Sequence, residues 1–138
     1  MGTAGNSVEE LDRDQFAIYR MDRETNTIEL EWSEATAAMD ESQFREGLSR
    51  LAGLAEAHPG MNLLVDVRGF RYRPAPDNST WRDATIIPRY NAGRVRKMAF
   101  LLPDGAAPGS PPAPEGPADF PTWWTDSRQR IDDWFTER

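Results

Sequence analysis

The chain has 138 residues, 38% of them hydrophobic and 28% charged, with a formal net charge of -7. That length suits one domain around one modest core, and the absence of cysteine excludes disulfides, thiolate metal sites and cysteine nucleophiles. The acidic balance argues against nucleic-acid binding, which needs a basic footprint.

Residues 1–13 are small, polar and acidic, so a disordered N-terminal tail is expected there, with the domain proper over 14–138. The opening MGTAGNSVEELDRDQ has neither an apolar core nor a basic cluster, so no signal peptide is expected. No apolar run approaches the roughly 20 residues that span a bilayer, and a cytoplasmic location is the resulting expectation. FAIYRM (16–21) and TIELEW (27–32) alternate apolar and polar positions around the turn cluster DRETN, which predicts an antiparallel hairpin with one wet face. The period then changes. Phe44, Leu48, Leu51 and Ala55 make an apolar stripe widened by Leu54, a helix with Asp40 and Gln43 as its N-cap pair and HPG (58–60) as its stop. His58, the one histidine, is expected to cap carbonyls there.

MNLLVDV (61–67) is almost continuously apolar, as a central strand covered on both faces should be. A helix is predicted from Asp77 or Ser79 through Trp81, Ala84, Ile87 and Tyr90 to Gly93, interrupted by Pro88. RVRKMAFLLP (94–103) is a further strand. Residues 104–119 are rich in Pro, Gly and Ala and lack periodicity, which predicts a mobile loop. FPTWW (120–124) reads as a short edge strand, because Pro121 is tolerated there. A last helix turns Ile131, Trp134 and Phe135 inward. The order β-β-α-β-α-β-loop-β-α defines a single small α/β domain, a mixed sheet flanked by helices.

Charge is unevenly spread: residues 61–100 hold eight bases against three acids. The lip that follows the central strand, DVRGFRYRP, carries much of this excess. Asp66 and Arg68 share a parity, so they either close the strand end as a local ion pair or leave Arg68 free to hold a carboxylate or phosphate. Arg71, Tyr72 and Trp81 add charge and aromatic surface beside them. The candidate ligand-binding set is therefore Asp66, Arg68, Arg71, Tyr72 and Trp81, at the carboxyl end of a central strand where open α/β sheets place ligands. The ligand expected there is an anionic or amphipathic small molecule or lipid, and peripheral membrane contact is a related expectation.

The run IELEW, FREGLSRL, LLVDVR, PRYNAG, RKMAFLLP and the final Trp134-Phe135 resembles the SpoIIAA-like branch of the STAS superfamily, the sulfate transporter and anti-sigma-factor antagonist domains. The resemblance implies a small mixed sheet flanked by helices. It also implies the alternative function, a protein-interaction module with a protein partner. Ser79 and Thr80 stand near the family's phosphorylated serine, but Trp81 follows where a glycine-containing turn is expected, so the pattern does not support a phosphoserine switch. No Ser-His-Asp set, phosphate-cradling glycine loop or metal-ligand spacing is present in the sequence. A non-catalytic domain without cofactor or metal is expected.

Overall fold

The alternation near the N-terminus builds a meander of three strands. In the computed structural model, which describes residues 7–106 and 110–137, β1 (Val8–Arg13), β2 (Ala17–Asp22) and β3 (Thr27–Trp32) pair antiparallel in succession. Tyr19 and Met21 of β2 and Ile28, Leu30 and Trp32 of β3 are buried, as period-2 patterning requires. β1 corrects the expected tail over residues 8–13. Its side chains are mostly exposed, so no apolar pattern announces it. Its stability comes from backbone pairing with β2, supported by the Glu9–Arg23 and Glu10–Arg13 ion pairs. The remainder of that expected tail, residues 1–6, lies outside the described residues.

A turn of 3-10 helix (Glu34–Ala38) leads into α1 (Glu41–Ala57). The Asp40 carboxylate accepts the Gln43 N–H at 2.8 Å, and the Gln43 side chain accepts the Asp40 N–H at 2.9 Å, a reciprocal cap that satisfies two orphan donors. His58 closes the helix through its main chain, the backbone N–H donating to the Leu54 carbonyl at 2.9 Å. β4 (Asn62–Asp66) is buried throughout and lies fourth in the seven-strand order β1-β2-β3-β4-β5-β7-β6. It pairs parallel with β3 and with β5 (Met98–Leu101). Leu63 and Val65 face α1, whereas Leu64 faces the opposite layer.

Between β4 and β5 run α2 (Asn78–Trp81), a π-helical turn (Arg82–Ile86) and α3 (Ile87–Ala92). Pro88 has no N–H to give the Ala84 carbonyl, and the ladder widens just before it, with the Ile87 N–H donating to the Arg82 carbonyl. β5 then pairs parallel with β7 (Pro121–Thr125). The two-residue β6 (Ala113–Pro114) covers the outer edge of β7. The proline-rich segment is thus no free linker in its described part. Asn91 donates to the Pro117 carbonyl and accepts the Asp119 N–H, and Ala118 is buried. Residues 107–109 lie outside the described residues.

α4 (Arg128–Thr136) starts at Ser127, whose hydroxyl oxygen accepts the Arg130 N–H. Its Ile131 and Phe135 pack on Leu64, Ala99 and Leu101. The result is a single α/β domain: a mixed seven-stranded sheet with α1 and α3 on one face and α4 on the other. Among the described residues, no helix is long and apolar enough to cross a membrane.

Candidate functional site

Alternation along β4 splits the charged lip from the apolar floor, because Asp66 and Val65 point to opposite faces. Asp66 lies on the α4 side and is buried. The Arg68 guanidinium closes on it as a fork, Nε to Oδ1 at 3.0 Å and Nη2 to Oδ2 at 2.8 Å, and the Arg68 backbone N–H adds a third bond at 3.0 Å. This is the strand-closing alternative of the sequence reading. The side-chain hydrogen bond to Asp66 is the main cause of the raised Arg68 pKa. Arg71 is engaged elsewhere: its Nη2 meets Glu34 Oε2 at 2.8 Å, and its backbone N–H donates to Thr36 Oγ1. Tyr72 packs against Phe44 and Phe70. Trp81 lies under the Arg45 guanidinium, 4.7 Å from ring centroid to Cζ. Asp66, Arg68, Arg71, Tyr72 and Trp81 are therefore dispersed over separate contacts rather than brought together around one ligand.

The other side of the same strand end opens into a cavity of about 450 Å³. Val65 and Val67 with Met98 and Phe100 form its sheet side, Phe44 and Leu48 of α1 a wall, and Pro74 and Pro76 of the lip loop also line it. Two glycines permit this geometry. A Cβ at Gly47 would stand 2.5 Å from the Trp32 ring, and one at Gly69 would stand 2.8 Å from the Trp32 carbonyl oxygen. Their hydrogens let α1 and the lip loop close on Trp32, whose ring lines the cavity. Phe100 and Trp124 stack at a centroid distance of 3.9 Å and an interplanar angle of 9°.

Arg82 is the charged side chain lining this cavity among the described residues. It enters from the helical face that also buries Asn78, Ile86 and Tyr90, four residues apart in each step. Its Nη1 is 3.8 Å from Glu115 Oε1, while its Nη2 is buried with no hydrogen-bond partner among the described residues. A desolvated guanidinium donor left unpaired is unfavourable, and most native proteins avoid it. The Tyr90 phenol lines the same space and is pushed up to about 12 by burial, with Arg82 and Arg89 pulling the other way. It is a neutral hydroxyl at physiological pH. Arg82 was absent from the sequence-derived set, although an arginine on an otherwise inward i, i+4 stripe was visible there. The cavity can receive an apolar body and has one cationic side chain in its lining.

The hollow beside Asp66 and Arg68 is different in kind. It is lined by Glu31, Ser33 and Glu34 as well, and its acids are paired: Glu31 with Arg20, Glu34 with Arg71, Asp66 with Arg68. No group of three or more His, Asp or Glu side chains suited to a metal ion occurs among the described residues. No protein-family model matches the chain, and no curated protein or solved structure matches it.

Proposed function

We propose that this chain is a non-catalytic binding domain for an amphipathic anion, whose apolar body fills the cavity beneath the lip and whose charged group pairs with Arg82. The observation that carries this reading is Arg82 as the one charged side chain, among the described residues, in the lining of a mostly apolar cavity. The volume falls within the roughly 300–1,000 Å³ of small-molecule sites, which are mostly apolar with a few convergent polar groups. Its position also supports the reading, since Val65 and Val67 bring the carboxyl end of the central strand to the cavity. The resemblance to the SpoIIAA-like STAS branch fits a binding role and leaves a protein partner as the alternative. A partner surface of the usual kind needs an exposed apolar patch, and among the described residues Val8 is the one large hydrophobic side chain that is exposed. That favours a ligand held in the cavity.

The test is titration of the apolar anion anilinonaphthalenesulfonate, read by its fluorescence, into wild type, Arg82→Met and Arg68→Ala. Arg82→Met should weaken binding by about tenfold or more, and Arg68→Ala should leave it unchanged. Equal affinity in wild type and Arg82→Met, with loss in Arg68→Ala, would return the site to the lip and overturn the cavity reading.

A further inference from the structure

Resting on the cavity reading, but not on which atom holds the charge, the lining narrows the class of ligand. We infer that the apolar body of the occupant is a fused aromatic ring system rather than an aliphatic one, and that the Phe100–Trp124 stack recognises it.

Aromatic residues make up 10% of the chain, yet six of the sixteen residues lining the cavity are aromatic: Trp32, Phe44, Phe70, Tyr90, Phe100 and Trp124. Five of them fall into two groups. Trp32 of β3 packs with Phe44 of α1 and Phe70 of the lip loop, at centroid distances of 6.1 and 5.2 Å. Phe100 and Trp124, direct partners across β5 and β7, form the second group. Because β3 and β5 flank β4, the two groups stand on either side of Val65, with about 10 Å between β3 and β5. A fused two-ring body lying on Val65 reaches both.

The stack is set in place without a ligand. Trp124 is half-buried and joins neither apolar cluster of the core. Its orientation is fixed by Phe100, 3.9 Å away between centroids, and by its indole N–H, which donates to Glu115 Oε2 at 2.7 Å. A side chain already held this way has little freedom left to lose on binding. Arg82 stands over the Phe100 ring, 5.8 Å from Cζ to centroid. An occupant therefore meets the edge of Phe100 and the edge or outer face of Trp124. Either presentation suits a second π system, in edge-to-face or offset-stacked contact, and such contacts are favourable beyond the apolar area they bury. An aliphatic body gains the area contribution alone.

The experiment titrates 2-naphthoate and its saturated counterpart, decahydro-2-naphthoate, calorimetrically into wild type and Trp124→Leu. A thermal melt checks that the variant is folded, and Phe100→Leu takes its place if it is not. The two acids share a skeleton and a charge, and the saturated one has no less apolar surface, so burial alone gives naphthoate no advantage. Wild type should bind naphthoate about fivefold or more tighter. Trp124→Leu, which keeps an apolar side chain, should shrink that preference roughly two- to tenfold. Equal affinities in wild type, or tighter binding of the saturated acid, overturn the aromatic preference while the cavity reading stands, and this comparison needs no variant. A preference unmoved in the folded variant overturns the role of the stack. If neither acid binds, the inference fails, and if anilinonaphthalenesulfonate does not bind either, the cavity reading fails with it.

Discussion

If Arg82 is held in the cavity for a ligand, removing it should make the empty protein more stable. Arg82→Met replaces the guanidinium by an unbranched apolar side chain suited to the mostly apolar lining that it shares with Val65, Met98 and Phe100. Three contributions decide the sign. The buried Nη2 without a partner costs about 1–3 kcal/mol in the wild type, and that penalty disappears. The Glu115 contact at 3.8 Å, to a carboxylate that is itself 37% exposed, contributes no more than about 0.2–1 kcal/mol and is lost. The placement of the Cζ atom 5.8 Å from the Phe100 ring centroid contributes about 0.5–1 kcal/mol at most and is also lost. At the middle of these ranges the balance favours methionine by about 0.6 kcal/mol, which for a domain of this size raises the melting temperature by roughly 2–4 °C. Differential scanning calorimetry and urea unfolding of the ligand-free protein measure it. A fall in stability of about 1 kcal/mol or more would show that Arg82 serves the fold. The cavity would then be a packing defect rather than a binding site.

Leu64→Ala, at a fully buried position between β4 and α4, should cost about 2–5 kcal/mol, read as a lower urea midpoint; an unchanged midpoint would remove β4 from the core. Arg68→Ala strands the buried Asp66 carboxylate and should cost about 1–3 kcal/mol, less than the roughly 3–5 of a fully buried pair because Arg68 is half exposed; unchanged stability would show that the ion pair does not close the strand. Asn91→Ala removes both hydrogen bonds to Pro117 and Asp119, so limited proteolysis within 110–119 should speed up; equal rates would mean that other contacts dock the segment. Burial raises the Tyr19 and Tyr90 pKa values, so the unfolded chain releases these protons first. Their contribution is complete below about pH 10 and is lost as pH rises towards the folded values, so the urea midpoint should fall above pH 10. Replacing Tyr90 by Phe should flatten that fall, and an equally steep decline would assign it to other groups.

The readable parts of the sequence were those where local chemistry and burial agree. Ile28, Leu30 and Trp32 alternate because β3 has one packed face and one polar face, and the structure buries these three together. Asp40 and Gln43 announced the start of α1 because a reciprocal cap is a contact three residues apart. MNLLVDV gave away its central place because both faces of β4 are covered, which removes the polar alternation. Pro88 marked the break before α3 through its missing N–H. Each of these is settled within a few residues of chain, where spacing and side-chain type carry the information.

β1 escaped notice for the opposite reason, since backbone bonds to β2 hold it and Leu11 is its single side chain packed on the core, too little to make a pattern. The docking of residues 110–119 was equally silent, because it depends on Asn91 and on the edge of β7. Shared parity put Asp66 and Arg68 on one side of the strand, and proximity could have made them a site or a closure. Only the folded chain showed that the guanidinium is spent on its own neighbour. The cavity is the clearest case. It needs β3, α1, the lip loop, the π-helical turn and β7 to meet around Arg82, with Gly47 and Gly69 allowing the close approach. Periodicity fixes which face a residue takes on its own element; which faces enclose a common space depends on contacts between residues far apart in the chain, and no local pattern encodes that.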